Sequence, residues 1–181
     1  MILIILTICS ATSAANLVTY KEQYIYQNWL TQDGLPQNIV KDIVQTKDGY
    51  LWIATTSGIA RFDGVKFTTF TTYNTPGLIS NRISTLSEDL KGNLWIGTED
   101  KGICKYQAGK FTNHSINNEL SNSQIIKILP MPDGDILITT GAGVYHYKDN
   151  KFIIYKNTNT FTSLREVTFN PQKKRSVDCC F

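Results

Sequence analysis

Along this chain, apolar and polar positions fall into short runs of strand length. IVKDIVQT (39–46) stops at the Asp48-Gly49 turn, YLWIATT (50–56) at Ser57-Gly58, IARF (59–62) at Asp63-Gly64, and KFTTF (66–70) at a loop running from Asn74 to Gly77. β-Branched and aromatic residues fill the interiors, and the breakers between them are those that tight turns favour. No segment carries an apolar helical period over about ten or more residues, so the pattern predicts an all-β chain.

The runs also repeat. Gly49, Trp52 and Thr55 recur 43 residues later as Gly92, Trp95 and Thr98, and 42 residues further on as Gly134, Leu137 and Thr140. Leu35, Leu78 and Leu120 open the units, and FDGVKF, YQAGKF and YKDNKF close them. A fixed period of about 40 to 50 residues marks a repeat architecture. Four short antiparallel strands per period describe a β-propeller blade, whose sheet is buried on both faces by its neighbours; this explains nearly unbroken apolar strands such as YLWIA. We therefore expect a partial β-propeller of three four-stranded blades, over 34–76, 77–118 and 119–160, with a fourth begun at 161–170. Trp52 and Trp95 are expected as wedges between blades.

Composition permits a globular core and narrows the function. Of 181 residues, 41% are hydrophobic and the net charge is only +3, with Lys and Arg scattered, so no basic stripe points to nucleic acid. The run Lys173-Lys174-Arg175 reads as part of a solvated tail over 171–181. MILIILTICSATSAAN pairs an apolar run with small residues ending at Ala15, as in a secretory signal over 1–15, an imperfect one because no Lys or Arg precedes the apolar run. No segment reaches the roughly 20 apolar residues that span a bilayer. Cys104 takes the strand position of Ala60 and Tyr145 and reads as a small buried hydrophobe.

Candidate chemistry is sparse. No His, Cys or carboxylate cluster has metal or catalytic spacing, so no catalytic residue, metal or cofactor is assigned. His114 and His146 fall where the first unit has Phe70 and Arg61, while Asp48, Asp63, Asp89 and Asp133 belong to turns, which Asp favours. A propeller ligand sits at the mouth of the central channel. If the first strand of each unit is innermost, Asn38, Asn81 and Ser123 stand just before it, placed either to read the hydroxyls of a small molecule or oligosaccharide or to satisfy turn backbone.

GLPQNIVKDIVQTKDGYLWIATTSGIARFDGVKFTTF and GLISNRISTLSEDLKGNLWIGTEDKGICKY resemble the two-component regulator propeller repeats of bacterial periplasmic sensor domains. The similarity runs from about Tyr24 to Phe169 and departs from the motif at Ala54, near Lys101 and at Leu137. The resemblance implies a non-catalytic, extracytoplasmic sensor module whose parent carries a histidine kinase or diguanylate cyclase. A fragment of an exported propeller enzyme, a lyase or a glycan-active one, remains the alternative.

LREVTFN (164–170) looks like the first strand of a fourth unit that is then cut off, and YIYQNW (24–29) looks like an outermost strand lacking its blade. An open arc is expected to expose two end faces. At on the order of 400 Å² each, leaving them bare forgoes roughly 10 kcal/mol apiece. Further blades or a second copy are thus expected as partners.

Overall fold

The computed structural model describes residues 27–114, 120–157, 167–169 and 177–179. The expected signal segment, Tyr24 to Tyr26 and Lys173 to Arg175 lie outside the described residues. Three four-stranded antiparallel sheets follow one another in chain order. The first holds β1 (Val40–Gln45), β2 (Leu51–Thr55), β3 (Gly58–Phe62) and β4 (Phe67–Phe70). The second holds β5 (Ile83–Glu88), β6 (Leu94–Thr98), β7 (Ile103–Gln107) and β8 (Lys110–Asn113). The third holds β9 (Ile125–Pro130), β10 (Ile136–Thr140), β11 (Gly143–Lys148) and β12 (Lys151–Asn157). The only helical element among the described residues is a 3-10 turn, Thr31–Asp33. β13 (Val167–Phe169) pairs with β14 (Val177–Cys179), so a stretch of the expected tail also forms strand.

Register explains which side chains meet. Val44, Trp52, Arg61 and Thr68 are cross-strand neighbours on one face of the first sheet, matched by Ser87, Trp95, Lys105 and Thr112 in the second and by Leu129, Leu137, His146 and Ile153 in the third. The opposite face carries Ile43, Ile53, Ala60 and Thr69, matched by Leu86, Ile96, Cys104 and Asn113. Neighbouring sheets approach through β1 against β5 and β5 against β9, so the first strands are innermost and the sheets fan outward from them. At each seam between sheets, the Trp face of one packs on the Ile/Leu face of the next. Trp52 and Ala54 join Ile83, Leu86, Ile96 and Cys104; Trp95 and Ile103 join Ile125, Ile128 and Ile138.

The repeated Leu and Thr have defined tasks. Leu35, Leu78 and Leu120 are buried against the sheet each precedes. Thr55, Thr98 and Thr140 each donate Oγ1 to the carbonyl of Gly58, Gly102 or Gly143, closing the link between second and third strands. Gly77 lets the connector pass close to β8: its φ is 88°, and a Cβ there would lie 2.2 Å from the Phe111 carbonyl oxygen.

The ends of the arc are less open than the repeat pattern predicts. On the front of the first sheet, Trp29 covers the outer half, with ring centroids 4.9 Å from Phe62 and 5.8 Å from Phe67, and Leu35 joins it. Residues 27–30 form no strand, so Trp29 serves here as a lid on its own first sheet. Only the inner half stays bare. Val40 and Ile43 are 40% and 56% exposed, whereas their counterparts Ile83 and Leu86 are at 0% and 6%, and Ile125 and Ile128 at 0% and 3%. On the far face of the third sheet, Leu137, Thr139 and Val144 are buried.

Candidate functional site

The loops before β1, β5 and β9 and the links from second to third strands share one end of the arc, because every first strand starts there and every second strand finishes there. Asn38, Asn81 and Ser123 all lie in this end. Asn38 Oδ1 accepts from the Thr31 N–H at 2.9 Å and Asn81 Oδ1 from the Thr72 N–H at 2.7 Å. Both carbonyl oxygens thus hold turn backbone. Ser123 accepts the Gly102 N–H on its backbone carbonyl at 3.1 Å, which ties the third unit's entry to the second sheet.

Around them lies a polar network that spacing alone does not single out. Thr56 donates its hydroxyl to Gln37 Oε1, and one unit later Ser80 donates to Asp100 Oδ1 at 2.7 Å. Gln37 and Ser80 hold the same repeat position, so an alignment of the units marks the site even though the residue types differ. Glu99 receives Lys41 Nζ on Oε1 at 3.1 Å and Arg82 Nη2 on Oε2 at 2.7 Å, joining the inner strand of the first sheet to the second. The result is a hydrogen-bonded rim in which two cations meet the Glu99 carboxylate.

The remaining ionisable groups have structural settings. Asp89 accepts from the N–H groups of Lys91 and Asn93, from Asn93 Nδ2 and from Trp95 Nε1, all at 2.8 to 2.9 Å. Burial alone raises its pKa, but these four donors outweigh burial and hold the carboxyl below its ordinary value. His114 lies against Trp95 and Tyr147, at 5.2 and 5.9 Å between rings. Burial, helped by the Lys105 charge, lowers its pKa. His146 and Lys148 share Asp135 at 2.9 Å each. Cys104 is fully buried, and burial pushes its thiol up to about 12, away from any nucleophilic role. Among the described residues no three His, Cys, Asp or Glu side chains gather as a metal site. None of their helices is long and apolar enough to cross a membrane.

Comparison with known proteins agrees with this geometry. The two-component regulator propeller model matches residues 34–57 and 77–100. Histidine kinase P4 of Formosa agariphila is 37% identical over 54 residues, which is 30% of this chain and 4% of that protein. An extracellular domain ascribed to a hybrid two-component system of B. thetaiotaomicron superposes with a TM-score of 0.59 at 26% identity, over 75% of this chain and 19% of that one. Virginiamycin B lyase of Staphylococcus aureus reaches a TM-score of 0.52 at 21% identity, over 65% of this chain and 41% of that one, a likeness of fold alone. The chain thus spans about a fifth of the solved extracellular domain and a small part of the kinase.

Proposed function

We propose that this chain is a non-catalytic sensor module of a bacterial signal-transduction receptor, working outside the cytoplasm, because the two-component regulator propeller model matches residues 34–57 and 77–100. The family match carries this reading, and the likeness to an extracellular two-component domain supports it. The signalling output belongs to a parent polypeptide with a histidine kinase or diguanylate cyclase, a reading to which the histidine kinase segment lends support. The alternative, a piece of an exported lyase or glycan-active enzyme, is favoured by no observation beyond a shared fold.

In this reading the ligand, a small molecule or oligosaccharide, binds at the channel mouth. Asn38 and Asn81 engage the protein through Oδ1, which leaves each Nδ2 as a donor for a hydroxyl. Calorimetry of the full chain against neutral oligosaccharides tests it. The expected result is saturable binding that weakens in Asn38→Asp and Asn81→Asp, which keep the acceptor for turn backbone and lose the donor. Absence of binding across the panel, or binding indifferent to both variants, refutes the assignment.

A further inference from the structure

We propose that the cleft at the outer rim between the first and second sheets binds a small aromatic monocarboxylate, at a place separate from the channel mouth. The cleft has a volume of about 510 Å³, within the range of about 300 to 1,000 Å³ typical of small-ligand pockets. Strand β4 forms one wall through Thr68 and Phe70, the β7–β8 hairpin a second through Lys110 and Phe111, and the connector with Thr75 and Pro76 a third.

Its walls are fixed before any ligand arrives. Phe70 stacks on Trp52 at 5.4 Å and packs 5.3 Å from Phe111, ring centroid to ring centroid, so the aromatic floor is part of the seam. The connector is pinned by Asn74, whose carboxamide takes the outer-edge hydrogen bonds of the first sheet. Its Nδ2 donates to the Thr69 carbonyl at 3.0 Å, and its Oδ1 accepts from the Thr71 N–H at 2.8 Å. A neighbouring strand would satisfy the same two groups, so Asn74 also closes that edge to strand addition.

Electrostatics select the ligand class. Among the described residues no acidic side chain lines the cleft. The Lys110 side chain is exposed at its mouth, and its ammonium forms no ion pair or hydrogen bond among the described residues. On the same face of the first sheet, one strand further in, Arg61 lies directly across from Thr68, 4.4 Å over the Tyr50 ring, with its buried Nε lacking a partner among the described residues. The field in the cleft is therefore positive, with one accessible cation. A monoanion is neutralised there, whereas a dianion keeps an uncompensated charge. The apolar faces of Phe70 and Pro76 take a flat ring, and the Thr68 hydroxyl fits a carboxylate or ring substituent, whereas the Thr75 hydroxyl is spent on Asn74 Oδ1 at 2.7 Å.

The test uses the full chain and 2-naphthoate, followed by the fluorescence anisotropy of the probe, with 2-naphthamide as its uncharged counterpart. Saturable one-to-one binding is expected, about tenfold weaker for the amide and in Lys110→Gln, and lost in Thr75→Trp, which fills the cleft from its wall. Circular dichroism confirms folding of each variant. Lys110→Gln changes an exposed side chain, so it decides the matter even if Thr75→Trp fails to fold. No saturable binding at millimolar probe, equal affinity for the amide, or naphthoate binding unchanged in folded Lys110→Gln or Thr75→Trp each overturns the proposal.

Discussion

Replacing Trp95 with Ala removes the largest side chain from the seam between the second and third sheets, and the structure sets the size of the loss. The indole is 2% exposed, packs 4.9 Å from the Tyr147 ring, and lies among Ile125, Ile128 and Ile136. Truncating a buried aromatic costs about 3 to 5 kcal/mol in transfer and cavity terms. Trp95 is also one of the four donors that hold Asp89. Depriving a buried carboxylate of one donor adds about 1 to 3 kcal/mol. Together these approach the whole stability of an ordinary domain, about 5 to 15 kcal/mol, so Trp95→Ala is expected to leave the chain barely folded. Trp95→Phe separates the two terms, because it keeps most of the apolar contact and loses the N–H.

Acid adds an independent readout. The folded pKa of Asp89 is depressed, burial being outweighed by the Asn93, Trp95 and backbone donors. Its contribution to stability is therefore present above the ordinary carboxylate pKa of about 4 and is lost as pH falls through the lowered value. Trp95→Phe moves that value upward and shrinks the acid-sensitive part. Urea denaturation followed by circular dichroism at pH 7 and near pH 3 measures both effects. Trp95→Ala within about 1 kcal/mol of the parent, or an acid loss equal in Trp95→Phe and the parent, refutes the reasoning.

Three further outcomes are expected. Gly77→Ala is expected to cost about 3 kcal/mol or more, against about 1 kcal/mol for Gly134→Ala, because both have positive φ but only the first adds a clash with the Phe111 carbonyl; equal melting temperatures refute this. His114 has a folded pKa lowered by burial and then by Lys105, so stability is intact above its unfolded value near 6.5 and declines as pH falls through the lowered one. His114→Phe, the residue of the first unit at this position, is expected to flatten that part of the profile. Ile43→Lys is expected to leave folding intact and reduce self-association in light scattering, whereas Ile128→Lys, at the equivalent buried position, is expected to unfold the chain.

What the sequence makes legible is what the repeat enforces. Gly49, Trp52 and Thr55 recur at one period because each blade needs the same turn, the same seam filler and the same link closure, so strand order and register follow from spacing. The unrepeated contacts are the illegible ones. Nothing in the spacing places Trp29 over Phe62 and Phe67, or brings Lys41 and Arg82 to Glu99, since these depend on how one unit meets another. A single strand, Val177–Cys179, also escapes, because three residues without a repeat partner carry no period. Seam geometry is hidden in the same way. A Cβ on Gly97 would lie 2.7 Å from Ile125 Cγ2, while the equivalent Ala54 is accommodated at the first seam, so the two seams differ in closeness although their sequences look alike.

That difference bears on why β1 holds its place with its front half bare. Three polar ties join the first unit to the second along the length of the inner strand. At the mouth end, Lys41 reaches Glu99. Midway, Asp42 Oδ2 accepts from the Leu86 N–H at 2.8 Å and the Thr85 hydroxyl at 3.0 Å, at the bulge where β5 starts. Beyond the far end, the Lys47 N–H donates to the Glu88 carboxylate and Lys47 Nζ to the Leu90 carbonyl. Hydrophobic burial on one face alone would leave such a strand free to fray. Charge-assisted hydrogen bonds spaced along it fix both its register and its distance from the neighbour. The first two sheets therefore behave as one body at the mouth, and Asn38 and Asn81 are carried on a common frame. If the proposed channel-mouth ligand binds between them, it meets a preorganised pair of donors, and its affinity is then expected to fall when Asp42→Ala breaks the tie as well as when the two amides are changed.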